Sequence, residues 1–512
     1  MKQSEMNKKS KYRIVWLWVL CLLAYANYYT VIAQTSDLKD LDAFIAQAIK
    51  RYQVPGAAVA VVRDGKVIMV KGYGVRDATK SDKVDENTIF QVASITKTFT
   101  AAAAASVADE GKVDWDTPIF NYLPEFVAYD PYTTRHLTLR DLLAMRTGLP
   151  AFTGDQLDNF GYDRPEILRR LRYMKPRYSL REVSQYSNAG FFIAGEVTAR
   201  ASDQSWNSLV EKRLFAPLKM TRSGTSVKDL QKNNSAAQHA IVDGKAALVL
   251  PSNQDTMGAA GSVTSTASDL SHWMLMFLNK GSYEGKEVLK PETVSELFKR
   301  SMVGKIEFSE LAPISETTGF YYGLGFDSFD YAGHHIIEKA GALSGVRTVL
   351  TLVPSKNTGI VVLANLNLTA FPEAVRAYYL NQVLGVEPEK DQELIYEKNQ
   401  QLVKLVLGAQ SAAPTNPGKF LGNPKSLVGV YENELYGRCE IFLNGEKLKV
   451  ECGPARYAAT LRHSNNGVFV MQFPGATSSA DKVTFTIGED GSADSFTHET
   501  FGIFSRVKTE KE

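Results

Sequence analysis

Thr88-Ile89-Phe90-Gln91-Val92-Ala93-Ser94-Ile95-Thr96-Lys97-Thr98-Phe99-Thr100-Ala101-Ala102-Ala103-Ala104-Ala105-Ser106-Val107-Ala108 is the stretch on which the reading of this 512-residue chain turns. A β-type run, Thr88 to Val92, passes into an Ala-rich, helix-favouring segment that stops near Gly111. At the junction stands Ser94-Ile95-Thr96-Lys97. A serine hydroxyl attacks poorly until a base takes its proton, and an amine three residues further along a helix lies over the same face. Backbone N–H groups at a helix start also favour negative charge developing there. The spacing alone says little, because Ser-x-x-Lys occurs at Ser36, Ser94, Ser479 and Ser505. Only Ser94 opens a helical segment after a strand-like run.

Upstream of this junction, Leu38, Leu41, Phe44, Ile45, Ala48 and Ile49 recur at helical spacing. Ala57 to Val62 and Val67 to Val70 are β-branched runs joined through Asp64-Gly65, a pair that supplies the positive φ angles of a tight hairpin. Downstream, residues 115–300 are mostly helical in pattern. Thr348 to Val353 and Gly359 to Leu363 then read as buried strands around Pro354-Ser355-Lys356. Helices packed on an antiparallel sheet drawn from both ends of a segment make an α+β domain, here 34–388, with a helical subdomain. Glu389 to Leu407 looks helical, and 411–418, rich in Ala, Pro and Gly, reads as a linker, so 389–425 is helix plus linker. From 426 to 512 short alternating segments (Leu427 to Tyr431, Cys439 to Leu443, Leu448 to Cys452, Val468 to Phe473, Val483 to Ile487) predict a small all-β domain, a barrel.

With 58 basic and 56 acidic residues the net charge is +2. Such a balance, with no basic tract beyond residue 33, gives no field to gather nucleic acid. Residues 1–33 carry Lys8, Lys9, Lys11 and Arg13 ahead of the apolar run Ile14 to Ala26, and end in Val31-Ile32-Ala33. That order predicts a secretory signal peptide cleaved before Gln34; the competing reading is an uncleaved anchor that keeps the protein near a membrane. The chain is therefore expected to be exported, periplasmic or secreted. Export permits disulfides. Cys439 and Cys452 flank the turn Asn444-Gly445-Glu446 and would face each other across a hairpin, bonded or as two unpaired small hydrophobes. No Cys/His group has metal-ligand spacing, and the reading calls for no metal and no cofactor.

Two further elements matter. In Tyr186-Ser187-Asn188, a phenol can relay protons if neighbouring cations pull its pKa down, and an amide can hold an acyl group. Lys339-Ala340-Gly341 is the only Lys-x-Gly in the chain, and it leads into the strand Thr348 to Val353. Glycine lets an edge strand approach a ligand while lysine brings positive charge. Each motif has a plain structural explanation by itself, a packed tyrosine or a charge-guarded strand edge. Their order within one domain is what singles them out.

In that order the sequence resembles the serine β-lactamase and penicillin-binding protein superfamily, in its class C β-lactamase-like branch with esterases and D-amino-acid peptidases. The likeness covers about 36–385. It includes Leu139-Arg140-Asp141-Leu142-Leu143 running to Gly148-Leu149-Pro150, Gly258-Ala259-Ala260-Gly261-Ser262 with Ser265-Thr266-Ala267-Ser268-Asp269-Leu270, and Tyr322-Gly323-Leu324-Gly325-Phe326. The β-rich end resembles the accessory domain behind many such hydrolases, of lipocalin type.

The resemblance implies that Ser94 is the acylated nucleophile, Lys97 its proton partner and Tyr186 a general base or acid. It implies that Asn188 holds the acyl-side amide and that Lys339 lowers the Tyr186 pKa or attracts a carboxylate. The N–H groups of Ser94 and Ala342, beside Gly341, would form the oxyanion hole. One departure stands out: Ala340 replaces the hydroxyl residue usual between that Lys and Gly, which weakens the β-lactamase and DD-peptidase readings. Met145-Arg146-Thr147 reads as structural. The expectation is a serine hydrolase acting on a small-molecule or peptide substrate, with esters ahead of D-amino-acid amides or peptidoglycan-derived peptides and β-lactams last. The competing class is a catalytically silent scaffold that binds cell-wall peptide.

Overall fold

The computed structural model describes residues 37–242, 244–304, 317–411, 422–465, 467–474 and 481–507. The expected signal peptide and the linker beyond Ser411 lie outside them. Asp64 and Gly65 take φ of 50° and 75°, turning β1 (Gly56–Arg63) back into β2 (Lys66–Gly74) as the Asp-Gly pair predicts. The remaining strands of this sheet are β3 (Met302–Val303), β4 (Thr317–Tyr322), β5 (Asp327–Tyr331), β6 (His334–Leu343), β7 (Val346–Val353) and β8 (Thr358–Ala364). They run in the order β2-β1-β8-β7-β6-β5-β4-β3, each neighbouring pair antiparallel. The first and last long strands are thus neighbours, with Val59 opposite Val362.

Alternation along β1 divides the interior in two. Ala57, Val59 and Val61 face a core with Leu41 and Ile45 from the helix at 37–51 and with Phe371 and Ala374 from helix Phe371–Leu384. Ala58, Ala60 and Val62 face the larger core, where helix Ala267–Leu278 packs on β1 and β8. Thr266 caps that helix by accepting from the Asp269 N–H, which explains the Ser-Thr-Ala-Ser-Asp landmark. The Ala-rich segment forms helix Thr96–Asp109, buried from Thr96 to Val107. A helix enclosed on all sides needs small side chains, and its one large ring, Phe99, stacks 4.0 Å from Trp273. The helical subdomain includes Leu139–Leu143, where Thr138 and Asp141 form a capping box. Buried Asp141 also accepts from Arg146 at 2.6 Å and from Arg181 at 2.9 Å, so Arg146 ties this segment together.

The C-terminal region closes an eight-stranded up-and-down barrel: β9 (Gly429–Asn433), β10 (Gly437–Asn444), β11 (Lys447–Cys452), β12 (Tyr457–Asn465), β13 (Val468–Gln472), β14 (Asp481–Ile487), β15 (Ala493–His498) and β16 (Gly502–Arg506), with β9 pairing β16. Sequence alternation shows five of these. β15 and β16 are largely polar, and in β12 the alternation of Tyr457, Ala459 and Leu461 gives way to polar residues from Arg462 on. The barrel docks on the segment 154–161: Ala455 N donates to Phe160 O at 2.9 Å, and Gly154 N donates to the Tyr436 hydroxyl at 3.3 Å. Arg170 adds bonds to the carbonyls of Glu434 and Leu435 at 2.9 and 3.1 Å. Gly161 (φ 85°) permits the approach, since a Cβ there would sit 2.6 Å from that of Ala455.

Cys439 and Cys452 lie opposite each other on β10 and β11 and form a disulfide. Closing a loop of this size restricts the unfolded chain by about 3 kcal/mol. Cys439→Ser with Cys452→Ser is therefore expected to lower barrel stability by about 2–3 kcal/mol in denaturant unfolding. An unchanged midpoint would contradict this.

Candidate active site

Ser94 sits in the short turn Ala93–Ile95 that leads into helix Thr96–Asp109. The preceding residue, Ala93, has φ of 51°, a left-handed conformation that costs an L-residue on the order of 1 kcal/mol. The turn is held by its surroundings. Val92 N donates to Val263 O at 3.0 Å, Val263 N donates to Thr96 Oγ1 at 3.0 Å, and Thr348 Oγ1 donates to Val92 O at 3.0 Å. On the other side lies β6. A Cβ on Gly341 would fall 2.5 Å from Thr348 Oγ1, 2.6 Å from Val92 O and 2.9 Å from Ser94 N. Glycine is the residue that lets this strand lie against the nucleophile's backbone, with Ala342 next along it.

Lys97, the second residue of that helix, is fully buried. Its Nζ lies 3.2 Å from Ser94 Oγ, 2.6 Å from Asn188 Oδ1 and 2.8 Å from Ala260 O. Tyr186 and Asn188 arrive from the start of helix Asn188–Ser202, where Ser187 caps by accepting from Gly190 N. The Tyr186 hydroxyl is 2.5 Å from Ser94 Oγ. The structure thus brings Ser94, Lys97, Tyr186 and Asn188 into one hydrogen-bonded group.

Electrostatics sets the direction of the protons. Burial pushes Lys97 well below its ordinary value, and the charge of Lys339 pushes the same way against Asp155 and Asp327. Burial also pushes the Tyr186 phenol up, so the expected lowering by cations does not govern it. A neutral Lys97 has two N–H groups, which the carbonyls of Asn188 and Ala260 accept. Its lone pair is left facing the Ser94 hydroxyl, whose oxygen accepts in turn from Tyr186. This arrangement can deprotonate Ser94 toward the amine.

Lys339 is nearly as buried, but it has a carboxylate partner: it donates to Asp327 Oδ2 at 3.0 Å and to the Tyr322 hydroxyl at 3.2 Å. Arg347, on the neighbouring strand, is paired in the same way with Glu373. The four-residue group opens into a cleft of about 1630 Å³, whose lining includes Tyr457, Phe473 and Phe501 of the barrel.

Several contributors were hidden in the sequence. The Ala260 carbonyl belongs to the Gly258–Ser262 landmark, whose meaning is that it fixes one N–H of Lys97. Tyr322 and Asp327 flank the Gly323–Phe326 turn, and Gly325 in it packs against Ala101 and the Lys97 carbonyl. Asp155 accepts from Asn188 Nδ2 at 2.6 Å and carries no sequence signal at all.

The sequence model of the family described as Beta-lactamase matches residues 41–385, well over half of the chain, and that of a domain of unknown function (DUF3471) matches 422–509. The unguisins hydrolase ungD' of Aspergillus campestris (strain IBT 28561) is 28% identical over 427 residues, covering 77% of this chain and 78% of that protein. Protein flp of Staphylococcus aureus (strain MRSA252) is 26% identical over 343 residues, covering 66% of this chain and 64% of that one. Among solved structures, the octameric penicillin-binding protein homologue from Pyrococcus abyssi superposes with a TM-score of 0.60 at 20% identity, over 92% of this chain and all of that one, a likeness of fold.

The contact between β6 and the Ser94 turn generates a prediction. Gly341→Ala is expected to move the strand off that turn, at about 1–3 kcal/mol of stability. It should lower kcat about 100-fold or more, as a displacement of about 1 Å at a reacting group does. Kinetics with an activated ester, beside thermal unfolding, would check both, and near-wild-type kcat would contradict the packing argument.

Proposed function

The chain belongs to the beta-lactamase family, and on that footing we propose that it is an exported serine hydrolase working through an acyl-enzyme on Ser94. The observation that carries this reading is the double contact of Ser94 Oγ, with Lys97 Nζ on one side and the Tyr186 hydroxyl on the other.

In the proposed cycle, neutral Lys97 takes the Ser94 proton as Oγ bonds to the substrate carbonyl carbon. The N–H groups of Ser94 and Ala342 stabilise the oxyanion, each such contact being worth about 3 kcal/mol. The carbonyl reforms, the bond to the leaving group breaks, and the proton held on Lys97 reaches that group by way of Tyr186. Water then attacks the acyl carbon, giving its proton to the same pair. Ser94 leaves with a proton and the acid is released. Asn188 faces the acyl side.

Substrates with an uncharged leaving side, esters first and amides second, suit this site best. Lys339 already has Asp327 and Arg347 already has Glu373, so both nearby cations have carboxylate partners. Ala340 adds no hydroxyl for a β-lactam or D-alanine carboxylate. The fungal relative's name, a hydrolase of unguisins, supports hydrolysis as the reaction class. Export rests on the N-terminal pattern and is supported by the disulfide, which forms in oxidising compartments. Among the described residues no helix is long and apolar enough to cross a membrane.

Incubation with an activated aryl ester, a chromogenic cephalosporin and a D-Ala-D-Ala peptide, alongside Ser94→Ala, tests the reading. The expected outcome is turnover of the ester and a mass adduct on Ser94, both lost in the variant. Ligand binding with no turnover of any probe would favour the silent-scaffold alternative. Because the reactive form of Lys97 is the deprotonated one, kcat/KM should rise with pH through a midpoint well below that of a solvated lysine. A rise delayed to the range of a solvated lysine would contradict the assignment of the base.

A further inference from the structure

Asp155 lies in the turn-rich stretch between Ala151 and Gly161, on the wall of the cleft. Its Oδ2 accepts from Asn188 Nδ2 at 2.6 Å, while Asn188 Oδ1 accepts from Lys97 Nζ at 2.6 Å. Its other oxygen, Oδ1, is closed off from solvent and has no hydrogen-bond partner among the described residues. A buried carboxyl oxygen left without a partner costs free energy, so this residue is not placed for stability alone.

The chemistry of the amide makes the arrangement directional. An asparagine presents an acceptor on one side and donors on the other. With the oxygen toward Lys97, both N–H groups of the neutral amine are engaged by carbonyls and its lone pair faces Ser94. Rotating the amide by half a turn would aim Nδ2–H at the Lys97 nitrogen. That N–H would take the lone pair and draw it away from the Ser94 hydroxyl. Asp155 forbids the flip, because its Oδ2 would then meet the amide oxygen, acceptor against acceptor. Burial pushes the Asp155 carboxyl up to about 7, and the ionised form, which can only accept, is the one that forbids the flip. The charged and titratable groups around it are Lys97, Asp158, Tyr186 and Tyr436.

We propose that Asp155 is a positioning residue that locks the Asn188 amide with its oxygen on Lys97 and so keeps the Lys97 lone pair directed at Ser94. The proposal rests on the acyl-transfer reading of this site. The barrel holds the element that carries Asp155, through Tyr436 on Gly154 and Ala455 on Phe160, one contact on each side of it in the chain.

The test uses the full chain as wild type, Asp155→Ala and Asp155→Asn. An activated aryl acetate acylates Ser94 in single-turnover experiments read by intact mass, and thermal unfolding is followed in parallel. Asp155→Ala should slow acylation about tenfold or more with half-saturation changed by no more than about twofold, the pattern of a lost transition-state contribution. Asp155→Asn, whose amide can turn to donate to a flipped Asn188 oxygen and so no longer forbids the flip, should also slow acylation, by about threefold or more, with the unfolding midpoint unchanged. Wild-type rates in Asp155→Ala would overturn the proposal. So would equal losses in both variants that track a lowered unfolding midpoint, since that pattern belongs to packing. A wild-type protein that takes up no adduct would instead overturn the acyl-enzyme reading itself.

Discussion

An amine sealed from water among uncharged partners is the constraint on which this structure depends. Lys97 has no solvent exposure, and its three hydrogen-bond partners are a hydroxyl, an amide oxygen and a backbone carbonyl. Charging it there means giving up hydration without a carboxylate at hydrogen-bond distance, and the more distant Asp155 and Asp327 do not offset that loss. Lys339 makes the contrast within the same cleft: it is almost as buried, but Asp327 stands 3.0 Å from its nitrogen. Two lysines at one site thus differ in surroundings: one has a carboxylate at hydrogen-bond distance and the other does not.

Much of the architecture serves that amine. The Ala-rich helix can be buried on every side because its side chains are small, and this carries Lys97 into the interior. The Gly258–Ser262 turn contributes a carbonyl, helix Asn188–Ser202 contributes an amide, and the sheet brings β6 against the serine turn. The barrel reaches the same group indirectly, since the segment it grips carries the carboxyl that faces Asn188. The C-terminal domain thus lends aromatic side chains to the lining of the cleft and holds the segment that carries Asp155.

What was legible in the sequence is local. The Asp64-Gly65 hairpin, the helix after Ser94 and the strands Thr348 to Val353 and Gly359 to Leu363 each carry their own pattern of turn residues or periodicity, and the structure forms them. Ser94, Lys97, Tyr186 and Asn188 were readable together because the order of their motifs resembles that of the family, and the resemblance implies that they meet. Asp155 was not, because an acidic residue in a Gly- and Asn-containing loop looks the same whether it meets water or an amide. The pairing of Lys339 with Asp327 was hidden for a related reason, since it needs the register of β5 on β6. Three barrel strands escaped because a small barrel closed at both edges can tolerate strands with weak alternation.

The protonation state of Lys97 is the claim most open to direct measurement. Carbon-13 labelling of lysine side chains, with the Lys97 signal assigned by its loss in Lys97→Arg, allows its titration to be followed by NMR in the resting protein. The account predicts a midpoint well below that of a solvated lysine. A Lys97 signal that titrates with the surface lysines would contradict it.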